Sequence, residues 1–178
     1  MRIRSIAAMA VLLLAARSLA AAEGNHKYVG LKKCAICHKS EAKGSQYGQW
    51  ISTKHATAYE RLASPEAKET AKQAGVSGDP QQAPRCLRCH TTAYGVDSSL
   101  LGEGFAASDG VQCEACHGAG GDYVGLSVMK DRARSISQGL IIQMKETCLK
   151  CHNSESPNYK GFNFEESYKK ITHPMPKK

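Results

Sequence analysis

All eight cysteines of the chain follow one pattern, and each pair is followed at once by a histidine. The four segments are CAICH at 34–38 (site 1), CLRCH at 86–90 (site 2), CEACH at 113–117 (site 3) and CLKCH at 148–152 (site 4). C-x-x-C-H is the attachment signature of a c-type haem: the cysteines bind the porphyrin covalently and the histidine ligates iron. The repeat predicts four covalent c-type haems, attached through Cys34, Cys37, Cys86, Cys89, Cys113, Cys116, Cys148 and Cys151.

Two other uses of the cysteines compete with this interpretation. Site 3 continues as CEACHGAG, which also fits the C-x-x-C-x-G-x-G repeat of zinc-binding chaperones, and eight cysteines in an exported chain could form four disulfides. The glycines follow only one pair, however, whereas histidine follows all four. The chain has 7 histidines among 178 residues. The probability that chance alone would place a histidine directly after all four cysteine pairs, as the haem signature requires, is on the order of two in a million. The pattern therefore favours haem.

The histidines are too few to fill every axial position. Four haems offer eight positions, and the chain has seven histidines, of which His38, His90, His117 and His152 are proximal ligands by the motif. At least one iron must therefore stay open, take another kind of ligand, or take a ligand from another subunit. A methionine thioether is the usual other ligand. The candidates for the remaining positions are His26, His55, His173 and Met129.

The first residues read as an export signal. Arg2 and Arg4 precede an apolar run, and small residues end it near position 22. This is the pattern of a secretory signal peptide, so we expect residues 1–22 to be removed and 23–178 to form one domain in the periplasm or at the outer surface. No other segment is apolar enough for a membrane span. Export, and basic residues that are scattered despite a net charge of +8, argue against nucleic acid as a partner.

The segments that must position the haems are mostly helical by pattern. Residues 64–75, SPEAKETAKQAG, have the cap, proline and acidic first turn of a helix. Partial helix is expected over 40–63, with Trp50, Ile51 and His55 on one face, over 127–147 with a break near Gly139, and over 162–173. No strand alternation recurs. At about 39 residues per haem, we expect a mainly α domain with extensive loops, whose core is largely porphyrin.

Taken in order, the motifs resemble the tetrahaem cytochrome c-554 family. They are YVGLKKCAICH, a Trp five residues before HAT, CLRCHTTAYG, GVQCEACHGAG, CLKCH and a C-terminal helix ending in His. The resemblance implies a mainly α multihaem fold with closely packed haem pairs and periplasmic electron transfer. It also implies that His55 and His173 are distal ligands and that the iron held by His90 is five-coordinate.

One stretch departs from the family pattern. The family's type member has a distal histidine downstream of site 3, where this chain reads GAGGDYVGLSVMKD without one. Met129 or His26 is then the replacement, and the identity of the open haem stays undecided at this point.

Three functions are compatible with these features. The first is a carrier of single electrons between redox proteins, such as a quinol-oxidising complex, other cytochromes or a terminal reductase. The second is a haem enzyme that reduces nitric oxide, hydroxylamine or peroxide at an open iron, which would need distal acid–base groups. The third is a haem filament in which His26 is donated to a neighbouring chain. The protein is accordingly expected to be a monomer or a haem-contacting oligomer.

Overall fold

The computed structural model describes residues 25–142 and 144–173, and the expected signal peptide at 1–22 lies outside them. Short helices joined by long loops make up this part of the chain. Its only extended pairing is an isolated parallel bridge between Tyr28 and Leu101, which confirms the mainly α fold. The helices are α1 Leu31–His38, α2 Gln46–Ile51, α3 Pro65–Gln73, α4 Pro84–His90, α5 Cys113–His117, α6 Leu126–Met129, α7 Arg132–Ser137, α8 Lys145–Leu149 and α9 Phe164–Ile171.

Helix α3 forms as the sequence predicts. The Ser64 side chain accepts a hydrogen bond from the backbone N–H of Ala67 at 3.1 Å, and Pro65 occupies the first turn. A serine cap satisfies an N–H that the helix itself leaves unpaired, and proline has the backbone angle that the first turn needs.

The predicted face of Trp50, Ile51 and His55 is wrong, because α2 ends at Ile51 and His55 lies in the following turns. The hydroxyls of Ser52 and Thr53 donate to the carbonyls of Gln49 and Trp50, at 2.7 and 2.8 Å. Such local bonds offer the backbone an alternative to further helix.

The predicted helix over 127–147 breaks earlier than expected. Gly139 does interrupt it, but a first break already separates α6 from α7 at Asp131. Asp131 has an extended backbone, and its carboxylate accepts a hydrogen bond from the N–H of Arg134 at 3.0 Å. The aspartate therefore starts a new helix, as an N-cap does.

The described core is small and partly polar. Its fully buried apolar side chains are three alanines with Leu31, Leu62, Tyr123 and Val128. Polar residues with 1–2 % exposure lie among them, namely Thr92, Gln112, Glu114 and Ser135. This apolar core is small for a domain of this length. A small protein core is what we expect of a fold in which cofactors fill much of the interior. Among the described residues, no helix is long and apolar enough to cross a membrane.

Candidate haem-binding sites

Each C-x-x-C-H segment lies on a short helical turn. Helices α1, α4 and α5 end on the proximal histidine of sites 1, 2 and 3, and the N–H of His152 bonds to the Cys148 carbonyl at 2.9 Å just beyond α8. Residues three apart share one face of a helix, so the two sulfurs of a site point to the same side. All eight cysteines are half-buried, and none of them pairs in a disulfide.

Three of the four proximal imidazoles are oriented through Nδ1. In His90 this nitrogen bonds to the Ala58 carbonyl at 2.7 Å, and in His117 it bonds to the Ile141 carbonyl at 3.1 Å. In His38 it lies 3.2 Å from Oε1 of Gln46. An imidazole that donates from Nδ1 keeps the Nε2 lone pair for a metal, and this bond fixes the ring's direction.

The ring of His152 is held by stacking. It lies on Phe162, with centroids 4.6 Å apart and planes 14° from parallel. The phenyl ring belongs to the segment that precedes α9.

Two proximal histidines face a second histidine from a distant part of the chain. The ring centroids of His55 and His152 are 6.0 Å apart, and those of His117 and His173 are 5.8 Å apart. A metal–imidazole bond of about 2 Å separates the centroids of two imidazoles sharing one ion by roughly 6 Å. His173 Nδ1 is also buried without a hydrogen-bond partner among the described residues. Both pairs therefore fit an iron between their rings.

Burial lowers the pKa of these four imidazoles and is the main cause of the shift in each. For His55 and His173, the histidine of the facing pair lowers the pKa further. A neutral imidazole has the free lone pair that iron needs, since a protonated ring cannot ligate.

A loop crossing positions His55. The indole N–H of Trp50 donates to the Val111 carbonyl at 2.8 Å, and the Val111 N–H donates to the His55 carbonyl at 3.1 Å. Gly110 makes the close approach possible: its φ is +74°, and a Cβ there would lie 2.8 Å from the His55 oxygen. The segment leading into site 3 thereby holds the candidate distal ligand of site 4.

Helix α9 positions His173. Asn163 starts it by accepting a hydrogen bond from the N–H of Glu166 at 3.2 Å, and Phe164 stacks on Tyr168 one turn later, with centroids 5.2 Å apart. Such an aromatic pair at i and i+4 stabilises a short helix. His173 follows two residues after its last turn.

His26 and Met129, the other two candidate ligands, lie in the segments at residues 26 and 126–129. His26 Nδ1 bonds to the Asp122 carboxylate, and its ring lies against Gly139. Met129 is half-buried at the end of α6. Among the ring contacts of the described residues, no second histidine ring faces His38 or His90.

The zinc alternative gains no geometric support. In the described part of the chain, no three His, Cys, Asp or Glu side chains converge as a structural zinc site requires. Tyr123, a residue that could have served as an acid–base group, donates its hydroxyl to the carbonyls of His117 and Gly118 at 3.1 and 2.7 Å. Its role is to hold the turn after site 3.

The attachment sites adjoin one another in an order that differs from the sequence. Helix α1 packs against α5, and the thiols of Cys34 and Cys113 are close enough to shift each other's pKa, upward for Cys34 and downward for Cys113. Helix α5 also packs against α8; burial, followed by the neighbouring Cys148, raises the pKa of Cys116 to about 11. Site 3 therefore lies between sites 1 and 4.

Site 2 adjoins site 4, where Arg88 forms a 2.8 Å ion pair with Glu155 and the Cys89 and Cys151 thiols are close enough to shift each other's pKa. Site 2 also touches the start of site 3, because Thr92 Oγ1 accepts a hydrogen bond from the Gln112 N–H at 2.7 Å. Together the helix and thiol contacts give the spatial order 1–3–4–2. The sequence carried no signal for this order, because each contact joins residues far apart in the chain.

Sequence reasoning also missed two buried polar residues at site 3. Gln112 and Glu114 are 1 % and 2 % exposed, and both bond to the residues that start α1. The sequence shows only that a glutamate stands between the two cysteines of the motif. Its burial, which is unusual for a charged residue, is visible in the structure alone.

Comparisons with known proteins agree with this geometry. The family described as "Cytochrome c554 and c-prime" matches residues 33–118. Cytochrome c-554 of Nitrosomonas europaea is 31 % identical over 175 residues, which cover 88 % of this chain and 69 % of that protein. The solved structure of reduced cytochrome c554 from the same organism superposes with a TM-score of 0.57 at 28 % identity, covering 83 % of this chain and 79 % of that one. The chain therefore belongs to the cytochrome c-554 family of multihaem c-type cytochromes.

Proposed function

We propose that this protein is a periplasmic tetrahaem electron carrier. Residues 1–22 are its cleaved signal peptide, and 23–178 form one domain with four haems on the eight motif cysteines. When bound, each haem supplies a one-electron iron couple. The partners are redox proteins: a quinol-oxidising complex, another cytochrome or a terminal reductase.

The main support is the adjacency of the four attachment sites in the order 1–3–4–2. Electrons transfer efficiently only between centres that lie close together, and the chain brings each site against the next. Sites 1 and 2 are the two ends in this order of helix and thiol contacts, and they are the proposed places where electrons enter and leave. The polypeptide's task is to hold the cofactors in this order and to set their potentials through ligands and burial.

The facing imidazoles are proposed as axial pairs. His152 and His55 would hold the iron of site 4, and His117 and His173 the iron of site 3. Their centroid separations and their neutral state support this assignment. Two histidine ligands give a low-spin iron that gains or loses an electron without changing its ligands, as a carrier needs.

Two measurements test the proposal. Intact mass and pyridine haemochrome analysis of the mature protein should give four covalent haems and a chain starting near residue 23. Rapid mixing with a quinol-reduced cytochrome should then reduce the haems within the instrument's dead time or shortly after. Fewer than four haems, or haems that no redox protein reduces, would contradict the proposal.

A second candidate function is small-molecule chemistry at sites 1 or 2. It is favoured by the ring contacts of the described residues, in which no second histidine faces His38 or His90. Electron paramagnetic resonance of the oxidised protein should show whether any iron is high-spin and whether nitric oxide consumes that signal. If all four irons are low-spin and indifferent to nitric oxide, this function is ruled out.

The filament alternative has less support. His26 is bonded within its own chain to Asp122 and lies against Gly139, so donation to a neighbour would need that bond to break. Spectra that change with protein concentration would favour the filament, and concentration-independent spectra would favour the single-chain carrier.

A further inference from the structure

Glu114 is a buried carboxylate inside the third attachment motif. It lies between Cys113 and Cys116, has 2 % exposure, and accepts three backbone hydrogen bonds. Oε1 accepts from the N–H of Val29 at 2.8 Å and of Gly120 at 2.7 Å, and Oε2 accepts from the N–H of Gly30 at 2.8 Å. Carboxylates with this number of N–H donors form strong, charge-assisted hydrogen bonds.

Two of these donors start the helix of site 1. Val29 and Gly30 lie 85 and 84 positions from Glu114 in the chain, and they lead directly into α1, which carries Cys34. The N-cap of α1 is a glycine and makes no side-chain cap of its own. The first N–H groups of a helix need outside acceptors, and here an acceptor comes from the attachment motif of another haem.

Gln112 completes this remote cap. Its Oε1 accepts from the N–H of Leu31 at 3.0 Å, and its Nε2 donates to the Ala106 carbonyl at 2.8 Å. Its own N–H donates to Thr92 Oγ1 at 2.7 Å, two residues beyond His90. The buried polar groups around Gln112 and Glu114 thus connect the chain at sites 1, 2 and 3.

The two capping residues differ in charge, and this difference matters for redox chemistry. Among the described residues, no lysine, arginine or histidine side chain forms an ion pair with Glu114; the ion pairs present are His26–Asp122 and Arg88–Glu155. Water screens a buried charge poorly, so its field reaches neighbouring groups. A nearby anion stabilises the more positive, oxidised form of a haem and lowers its reduction potential.

We propose that Glu114 is a positioning residue that fixes site 1 against site 3 and lowers the reduction potentials of the haems at these two sites. The inference rests on the proposed function, since both motifs must carry haem. Each couple remains a one-electron reduction of ferric to ferrous haem, and Glu114 itself takes up no electron in it. Gln112 shares the positioning task but contributes no charge.

The test is a redox titration of the four-haem protein and of Glu114→Gln, a change of nearly equal shape without the charge. Two of the four potentials should rise, each by on the order of a tenfold change in the reduction equilibrium, about 59 mV for a one-electron couple. The other two should move by less than half as much. The matched control is Glu146→Gln, because Glu146 is an exposed glutamate two residues before Cys148; it should leave all four potentials in place. Potentials of Glu114→Gln that match this control would overturn the proposal.

A charge-preserving variant separates position from charge. Glu114→Asp shortens the side chain and should lower the free energy of unfolding about as much as Glu114→Gln does. Its haem reduction potentials should nevertheless stay nearer to those of the wild type than the potentials of Glu114→Gln. If Asp and Gln shift the potentials equally, charge does not set them and the inference fails.

Two further readings keep the test decisive. Haem counting comes first: a wild-type protein with fewer than four haems contradicts the proposed function, whereas four haems with unmoved potentials contradict only this inference. If no Glu114 variant matures, amide exchange in the wild-type holoprotein decides. The N–H groups of Val29, Gly30 and Gly120 should exchange at least about a hundredfold more slowly than exposed loop amides. Rapid exchange would contradict the inference that the Glu114 carboxylate holds these groups.

Discussion

Replacing Gly110 with alanine should disturb the haem at site 4 although Gly110 belongs to the segment before site 3. Its backbone has φ +74°, and an added Cβ would lie 2.8 Å from the His55 carbonyl oxygen and 3.0 Å from that of Ala56. Both oxygens are backbone atoms, so neither can rotate away as a side chain could. The His55 loop must move, and His55 is the candidate distal ligand that faces His152.

The size of the effect follows from two contributions. An alanine in a sparsely populated positive-φ conformation, such as that of Gly110 with φ +74° and ψ −141°, costs roughly 1–3 kcal/mol, and a forced contact in a packed region adds roughly 1–3 kcal/mol. Gly75 provides a matched control, because its φ is +70° but a Cβ there would meet nothing within 4 Å. Gly75→Ala should therefore lose only the first contribution, and Gly110→Ala should be less stable than it by about 1–3 kcal/mol.

The assay combines stability with spin state. Guanidinium unfolding followed by far-ultraviolet circular dichroism gives the free energy of unfolding of both variants. Low-temperature electron paramagnetic resonance gives the fraction of high-spin iron, which should rise in Gly110→Ala and stay unchanged in Gly75→Ala. Equal destabilisation in the two variants, together with an unchanged spin state in Gly110→Ala, would refute the assigned position of His55.

Three further outcomes are expected. His173→Ala should convert one low-spin haem, the one held by His117, to high spin, and added imidazole should restore the low-spin signal. Arg88→Ala removes a half-exposed ion pair with Glu155 and should change the free energy of unfolding by less than about 1 kcal/mol with no spectral change. The third outcome concerns pH. Burial lowers the folded-state pKa of four histidines below the unfolded value, so the unfolded chain binds more protons. The stability they support is complete above about pH 6.5 and is lost as the pH falls below it; acid titration of unfolding, repeated with His173→Ala, should show a shallower decline in the variant.

Two sequence predictions that rest on local chemistry are confirmed, namely the family of c-type cytochromes and helix α3, whereas the individual ligands stay predictions. A C-x-x-C-H segment contains both attachment sulfurs and one axial ligand within a single helical turn, so spacing alone identifies it. Helix α3 was predictable for the same reason: its cap, its proline and its acidic residue are contiguous. The family resemblance also pointed to His55 and His173 as candidate distal ligands.

Some local predictions failed where side chains competed with the helix. Hydroxyls at Ser52 and Thr53 take up the carbonyls that end α2, and Asp131 starts a new helix inside a segment expected to be continuous. The sequence shows a helical pattern both after Trp50 and around Asp131. A single hydrogen bond to the backbone is enough to end a short helix, because its intrinsic stability is low.

The tertiary structure alone decided which parts of the chain meet. The facing of His55 and His152, and of His117 and His173, joins residues far apart in sequence, as does the cap that Glu114 places on α1. The order 1–3–4–2 arises in the same way. Motifs encode what each site binds because binding needs only adjacent residues; the arrangement of the sites depends on long-range packing and buried hydrogen bonds, which no spacing in the sequence specifies.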